Sequence, residues 1–313
     1  MPDVSIVIPS RDDQQGLFFT LASASVELAA SGLTYEIIAV IDGDWNETAR
    51  SIQTHQWCRI IQGDFGGPQR ARHVGILEAK AERVFFFDSH VVVSPGFFRR
   101  MLDAMDSSGA ALVHSPHSIW NPAVRAYGYR VFWLGHFWSS SAEDKPKSPD
   151  PYPVALCGHG AMLVDKQKYF DTGGYWQALR GWGGEEPQLN FKFWMLGHEC
   201  WICPQAWHMH YFANRRSAEI YRSPDYIRNF LLVAYATGGD KFLNSAYQYF
   251  TMAANGKRTP EEVMKDPKVY PWKEIMERVP EEAAEERQRI CAGPYGGDLD
   301  SLRSHFEEKG ISN

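Results

Sequence analysis

At 313 residues, 44% hydrophobic and 22% charged, the chain has enough apolar content for a sizeable core and suits one large domain or two small ones. A net charge of −6 argues against a protein that grips nucleic acid by bulk electrostatics. Five cysteines, an odd and sparse set, point to reduced thiols rather than a disulfide framework. In chain order, "VSIVIPS" (Val4–Ser10) reads as a buried strand feeding the polar loop "RDDQQG", and "LFFTLASASVELAAS" follows with helical spacing. "YEIIAVIDGD" (Tyr35–Asp44) is a second strand that ends on acid and glycine. "WNETARSIQTHQ" is a helix, "CRIIQGDFGG" a third strand and turn, "PQRARHVGILEAKAE" another helix, and "RVFFFDSH" a fourth strand. This alternation predicts a parallel sheet with helices on both faces. Ligands bind beyond the carboxyl ends of such strands, and Ser10, Asp42, Gly66–Gly67 and Asp88 all fall there.

The second half is less regular. "SSSAEDKPKSPDPYP" (Ser139–Pro153) reads as a surface loop, and "VALCGHGAMLVDKQKYFDTGGY" as a strand, a helix and a turn. "CWIC" (Cys200–Cys203) has redox-motif spacing but lies in an apolar stretch with no second pair, which favours strand packing. "NRRSAEIYRSPDYIR" (Asn214–Arg228) is either a local basic patch or a solvated helix face. From Arg215 onward the chain reads as mostly helical, with "PEEAAEERQR" (Pro280–Arg289) a solvated helix. No apolar run approaches the ~20 residues of a membrane span, and "MPDVSIVIPS" has no basic leader. A soluble, cytoplasmic protein without stable membrane insertion is expected.

Two constellations carry chemistry. Asp88 and His90 stand two residues apart in a turn after a strand, so both can face one point. Oxygen and nitrogen ligands without a thiolate suit manganese or a similar divalent ion. A third ligand must come from elsewhere, and "AWHMHYF" offers His208 and His210 on one strand face. The alternative is that Asp88 caps a helix and His90 is an ordinary loop histidine. The second constellation is "RGWGGEEPQLNF", in which Trp182, Gly183 and Gly184 lead into Glu185 and Glu186 at a helix start. The two acids either cap that helix or supply a carboxylate that takes a proton from an incoming hydroxyl.

"VSIVIPSRDD", "YEIIAVIDGD" and "GGPQRARHVGILEAKAERVFFFDSH" resemble the nucleotide-sugar half of family 2 type glycosyltransferases with the GT-A fold. "GHGAMLVDKQKYFDTGGYWQALRGWGGEEPQLNFKFWMLGH" followed by "MHYF" is similar to the second half of polypeptide N-acetylgalactosaminyltransferases. The likeness spans about Val4 to Tyr235, with four motifs in order. It implies an α/β fold, a mostly parallel Rossmann-like sheet flanked by helices. Residues 1–212 would be the catalytic domain, divided into a nucleotide half (1–110) and a donor-sugar and acceptor half (111–212). Residues 213–313 would be a helical extension.

The resemblance also implies a reaction: metal-dependent transfer of a hexosyl or N-acetylhexosaminyl group from a UDP-sugar to a hydroxyl. The acceptor would be a glycan, a protein or a hydroxymethylated DNA base, a range that suits a bacterial or viral enzyme. It assigns Asp88, His90 and His210 to Mn2+ or Mg2+, Asp42 to the uracil, and Arg70 to the nucleotide or its sugar. Ser10 and Gly67 border the same donor site, and His159, Gly160 and Ala161 would line the donor sugar. Trp182, Gly183, Gly184, Glu185 and Glu186 would lie where donor and acceptor meet. Three positions depart from the pattern: Ile41 replaces an acid, His159 replaces a glycine, and Glu186 replaces an asparagine. "GWGGEE" is also similar to the GWGGED of β-galactosyltransferase-like enzymes, where the second acid is the base of an inverting reaction. Glu186 is therefore expected as base if the enzyme inverts, and as an orienting group if it retains. The competing expectation is a non-catalytic nucleotide-sugar or glycan-binding module on a transferase fold.

Overall fold

The computed structural model describes residues 1–11, 13–43, 58–64, 66–118, 123, 125–211, 224–255 and 272–311. The expected helix at residues 45–56 and most of the stretch 214–228 lie outside them. The first half alternates as the sequence predicts. Strand β1 (Val4–Ser10) leads to helix α1 (Gln14–Ser31), then to β2 (Tyr35–Ile41) and β3 (Arg59–Gln62). Helix α2 (Pro68–Glu78), β4 (Arg83–Phe87), β5 (Val91–Val93) and α3 (Phe97–Ser108) follow. The pairs β1–β2, β1–β4 and β2–β3 are all parallel. The run "RVFFF" is uninterrupted because β4 is covered on both faces. Phe85 and Phe87 pack with Phe97 and Phe98 of α3 on one side, while Phe86 packs with Tyr169 and Tyr175 on the other.

The second half departs from all-parallel pairing. It contains β6 (Leu112–His114), β7 (His117–Ser118), β8 (Arg125–Ala126), β9 (Tyr129–Leu134), β10 (Phe137–Ala142), β11 (Tyr152–Pro153) and β12 (Ala161–Asp165). Strands β13 (Cys200–Ile202) and β14 (His208–His210) come after two helices, α4 (Lys166–Asp171) and α5 (Glu185–Met195). The main sheet has eight strands in the order β11-β13-β6-β12-β4-β1-β2-β3. Here β12 is antiparallel to both neighbours, and β11 to β13. Antiparallel pairs need no helical crossover, and the strand–helix alternation that signals parallel pairing stops after α3. The sheet is thus mixed, with parallel pairs in the majority.

Two smaller readings also change. Residues 139–153 do not form one loop: Ser139 to Ala142 pair with β9, and Tyr152–Pro153 joins the main sheet, because backbone pairing overrides the polar composition. Cys200 and Cys203 are buried free thiols, Cys200 within β13, as strand packing requires.

A separate four-stranded sheet, β5-β14-β7-β8, holds the site together. Its antiparallel register sets His210 opposite Val91, and the Tyr211 N–H donates to the His90 carbonyl at 2.9 Å. Residues 120 positions apart in sequence become neighbours through this pairing.

The C-terminal helices are α6 (Pro224–Asn255), bent at Gly239, α7 (Trp272–Glu282), α8 (Ala284–Cys291) and α9 (Leu299–Lys309). They share the core that includes Val7, Phe86 and Trp194. The stretch Pro280–Arg289 is less solvated than its composition suggests. Glu286 is buried and pairs with Lys192 of α5 at 2.6 Å.

Candidate active site

A cleft of about 540 Å3 opens at the carboxyl ends of β1, β2 and β4. That is ample for a small-molecule ligand. Ser10, Asp42, Gly67, Asp88, His90, His159, Gly160, Trp182, Glu185, Glu186 and His210 all border it. Strand β1 ends on Ser10, whose carbonyl accepts the Asp42 N–H at 2.9 Å. Asp42 Oδ2 in turn accepts the Gly67 N–H at 3.0 Å, while its Oδ1 has no hydrogen-bond partner among the described residues. Burial raises the Asp42 carboxyl pKa. Arg70 does not border the cleft; its side chain pairs with Asp64. Arg72, two residues further along α2 and so on the other side of the helix, does border it.

Asp88, His90 and His210 each offer a ligand atom, and these atoms lie within 4.8 Å of one another. His210 Nε2 lies 2.9 Å from Asp88 Oδ2. The His90 and His210 rings meet edge to face, with centroids 4.5 Å apart. Two of these three side chains have an outer support. The other Asp88 oxygen is held by the buried Arg72, and the Asp88 N–H donates to the Gly160 carbonyl at 2.8 Å. His90 Nδ1 bonds to Asp13 Oδ2 at 2.6 Å, which leaves Nε2 as the ring's ligand atom. Asp13 also accepts from Ser89 and from the Gly16 N–H at the start of α1. Burial would raise the Asp88 carboxyl, but Arg72, His210 and His90 outweigh it and keep Asp88 ionised. One carboxylate and two imidazoles, with Asp88 held by Arg72 and His90 by Asp13, fit a divalent ion of the Mn2+ type.

His208 shares the strand face of His210 but serves differently. Its Nδ1 lies 2.7 Å from Ser115 Oγ, whose hydroxyl also donates to the Ala161 carbonyl at 2.8 Å. Gly160 sits over both histidines. A Cβ there would lie 2.7 Å from His208 Nε2 and 3.0 Å from His210 Cδ2, so only glycine brings the backbone this close.

His159 turns its ring into the protein. Tyr175 Oη bonds Nδ1 at 2.8 Å, and Asn190 Nδ2 donates to Nε2 at 3.0 Å. Asn190 Oδ1 bonds His114 Nε2 at 2.9 Å, and the His114 and His159 rings stack with centroids 5.8 Å apart. Burial keeps both imidazoles neutral, with His114 lowered to about 4 and His159 well below its ordinary value. With both ring nitrogens engaged, the backbone of His159 faces its neighbours in the site. Its N–H donates to Glu186 Oε1 at 3.3 Å, and its carbonyl accepts from Arg72 at 3.3 Å.

Glu185 and Glu186 open α5, as expected, but neither simply caps it. Glu185 Oε2 accepts the Gly183 N–H at 2.7 Å and is buried. Burial, Glu185 and Asp88 push the Glu186 carboxyl up from 4.5 to about 8. Asp13, Arg72, Tyr175 and Asn190 carry this arrangement, and sequence reasoning did not single them out. Arg72 alone had a usable signal, since it shares the "RAR" of the family-like helix with Arg70.

The sequence profile described as "Glycosyl transferase family 2" matches residues 5–170, more than half of the chain. The chain belongs to that family. The match takes in β1 to β12 and the Asp88–His90 turn. N-acetylgalactosaminyltransferase 6 of Drosophila melanogaster is 24% identical over 244 residues, 72% of this chain and 35% of that protein. Polypeptide N-acetylgalactosaminyltransferase 4 of Mus musculus is 23% identical over 248 residues, 73% of this chain and 42% of that protein. The chain thus spans less than half the length of these relatives. Among solved structures, GalNAc-T7 with UDP, GalNAc and Mn2+ superposes with a TM-score of 0.63 at 17% identity, over 91% of this chain and 58% of that one. Residues 1–349 of S. aureus TarS superpose with a TM-score of 0.56 at 14% identity, over 98% and 92%. These likenesses establish the shared GT-A fold. Among the described residues, no helix is long and apolar enough to cross a membrane.

Proposed function

We propose that the protein transfers a sugar from a UDP-sugar to a hydroxyl acceptor, with Asp88, His90 and His210 holding Mn2+ or a similar divalent ion. The observation that carries the reading is the convergence of these three side chains on one point of the cleft, with Asp88 held by Arg72 and His90 by Asp13. When bound, the ion supplies positive charge that stabilises the diphosphate as it leaves. Asp42, with an oxygen free of hydrogen bonds among the described residues, receives the uracil N–H. Arg72 keeps Asp88 ionised and aimed. Asp13 holds His90 in one ring orientation.

Glu186 accepts the proton of the attacking hydroxyl. A carboxylate with a pKa near 8 is a stronger base, once ionised, than an ordinary one. The His159 N–H fixes the position of its Oε1. The catalytic unit is residues 1–212, with the helices after it as an extension that packs on its core. The relatives' own names support a UDP-linked N-acetylhexosamine as donor. The test is UDP release from UDP-GalNAc, UDP-GlcNAc, UDP-galactose and UDP-glucose. Turnover of at least one donor with Mn2+, lost in EDTA and lost in Asp88→Asn, is the expected result. Undiminished turnover in EDTA would refute the reading, and metal-dependent UDP binding with no turnover of any donor would favour a binding module.

A further inference from the structure

The far wall of the cleft differs in chemistry from the metal end. Trp182 stacks on Tyr226 with ring centroids 5.6 Å apart and planes 20° from parallel. Phe230 continues the row, 4.9 Å from Tyr226. All three rings border the cleft, two of them come from α6, and all three lie outside the segment matched to the family.

The row is built into the loop that carries the two glutamates. Gly183 has φ +106, and a Cβ there would lie 2.2 Å from Tyr226 Cδ2, so the ring lies directly on the loop backbone. Asn229, fully buried one helical turn on, donates to the carbonyls of Arg180 at 2.7 Å and Gly183 at 2.9 Å. Its Oδ1 accepts the Arg180 N–H at 3.1 Å. Arg228 bonds the Ala178 carbonyl at 3.0 Å and pairs with Glu282 of α7. The start of α6 is therefore fastened to the Trp-Gly-Gly-Glu loop by a ring, an amide and a guanidinium.

We propose that Trp182, Tyr226 and Phe230 form a stacking platform for a sugar ring of a neutral carbohydrate acceptor. This rests on the transferase reading above and names the acceptor class for it. Aromatic faces take the apolar face of a pyranose, whose edge hydroxyls then point outward. Glu186 lies in the same cleft and would receive the reacting one. Charge is against a polyanion: the described lining carries Asp13, Asp42, Asp88, Glu185 and Glu186, the last protonated up to about pH 8, and only two guanidinium groups, Arg11 and Arg72. Arg72 is already committed to Asp88. A nucleic-acid acceptor would bring a row of phosphates to a described lining in which Arg11 is the one guanidinium not committed to Asp88.

The protein loaded with UDP and Mn2+ is applied to an array of neutral and anionic glycans, beside a Ser/Thr-rich peptide and a duplex containing 5-hydroxymethylcytosine. Calorimetry then compares the best neutral glycan on wild type, Tyr226→Ala, Tyr226→Phe and Phe230→Leu. A neutral glycan is the expected ligand. Its Kd should rise about tenfold in Tyr226→Ala, recover in Tyr226→Phe, and rise less in Phe230→Leu. The Kd for UDP with Mn2+ should stay within about twofold of wild type across the set, which shows that the variants are folded. Absence of any neutral-glycan binding overturns the proposal, as does preferred binding of the peptide or duplex, or equal glycan affinity in Tyr226→Ala and wild type. Loss of metal-dependent UDP binding in the wild type would instead overturn the transferase reading itself.

Discussion

Replacing Glu186 by Gln tests the electrostatics of the site through stability as well as rate. In the folded protein the Glu186 carboxyl is raised from 4.5 to about 8, mainly by burial and then by Glu185 and Asp88. In the unfolded chain it returns to the ordinary value. Below pH 4.5 both states hold the proton, and the group does not affect folding. Between 4.5 and 8 the unfolded state releases its proton while the folded state keeps it. Stability therefore falls with rising pH, by about 1.4 kcal/mol per unit at most, and levels off above pH 8. From pH 5 to pH 8 the loss attributable to Glu186 is about 3 kcal/mol. Glutamine cannot titrate, so Glu186→Gln should escape it. Chemical denaturation in EDTA at pH 5, 6, 7 and 8 measures the difference directly. The variant should match the wild type near pH 5 and exceed it at pH 8 by a gap of that order. Parallel curves for the two proteins would refute the raised carboxyl, and with it the argument for Glu186 as a strong base.

The catalytic counterpart is that Glu186→Gln lowers transfer about 100-fold or more, and that the wild-type rate climbs from pH 6 to pH 8 as the base ionises; a near-normal variant rate, or a flat profile, would remove Glu186 from that role. Asp13→Asn should weaken Mn2+ binding about 10–100-fold in a calorimetric titration, because it loosens the ring that presents His90 Nε2; unchanged affinity would reduce Asp13 to a helix cap. Gly160→Ala should also lose metal affinity, since its Cβ must push His208 or His210 aside; a variant that binds Mn2+ like wild type would show that the backbone yields instead. Asp88→Ala should lose Mn2+ binding and about 3–5 kcal/mol of stability, because Arg72 is left buried and unpaired; denaturation curves that overlay wild type would contradict that pairing.

The nucleotide half was legible because each strand there is short, apolar and followed by a polar turn. Ser10, Asp42 and Asp88 could be set at strand ends before any pairing was known. The second half was not, for physical reasons. Strand β12 pairs antiparallel with β4, an arrangement that leaves no strand–helix alternation to read. The Ser139–Ala142 strand is polar and reads as loop in the sequence because its pairing with β9 depends on backbone groups, which composition does not report. At the site, His90 and His210 were found by spacing and resemblance. Asp13 was hidden in an ordinary polar loop, and its role exists only because α1 starts where β4 ends. His159 shows a limit of motif transfer. Its position matches a family glycine, but its ring is held by Tyr175 and Asn190 from two other segments. The helix containing Glu286 looked solvated because four of its residues, Glu285, Glu286, Arg287 and Arg289, are charged, yet its one inward carboxylate meets Lys192.

The account depends most on the cation among Asp88, His90 and His210. Crystals grown with UDP and MnCl2, measured at an X-ray energy where manganese scatters anomalously, test it directly. One strong anomalous peak is expected within about 2.3 Å of Asp88 Oδ2, His90 Nε2 and His210 Nε2. Ordered UDP in the cleft with no peak among those three side chains would contradict it.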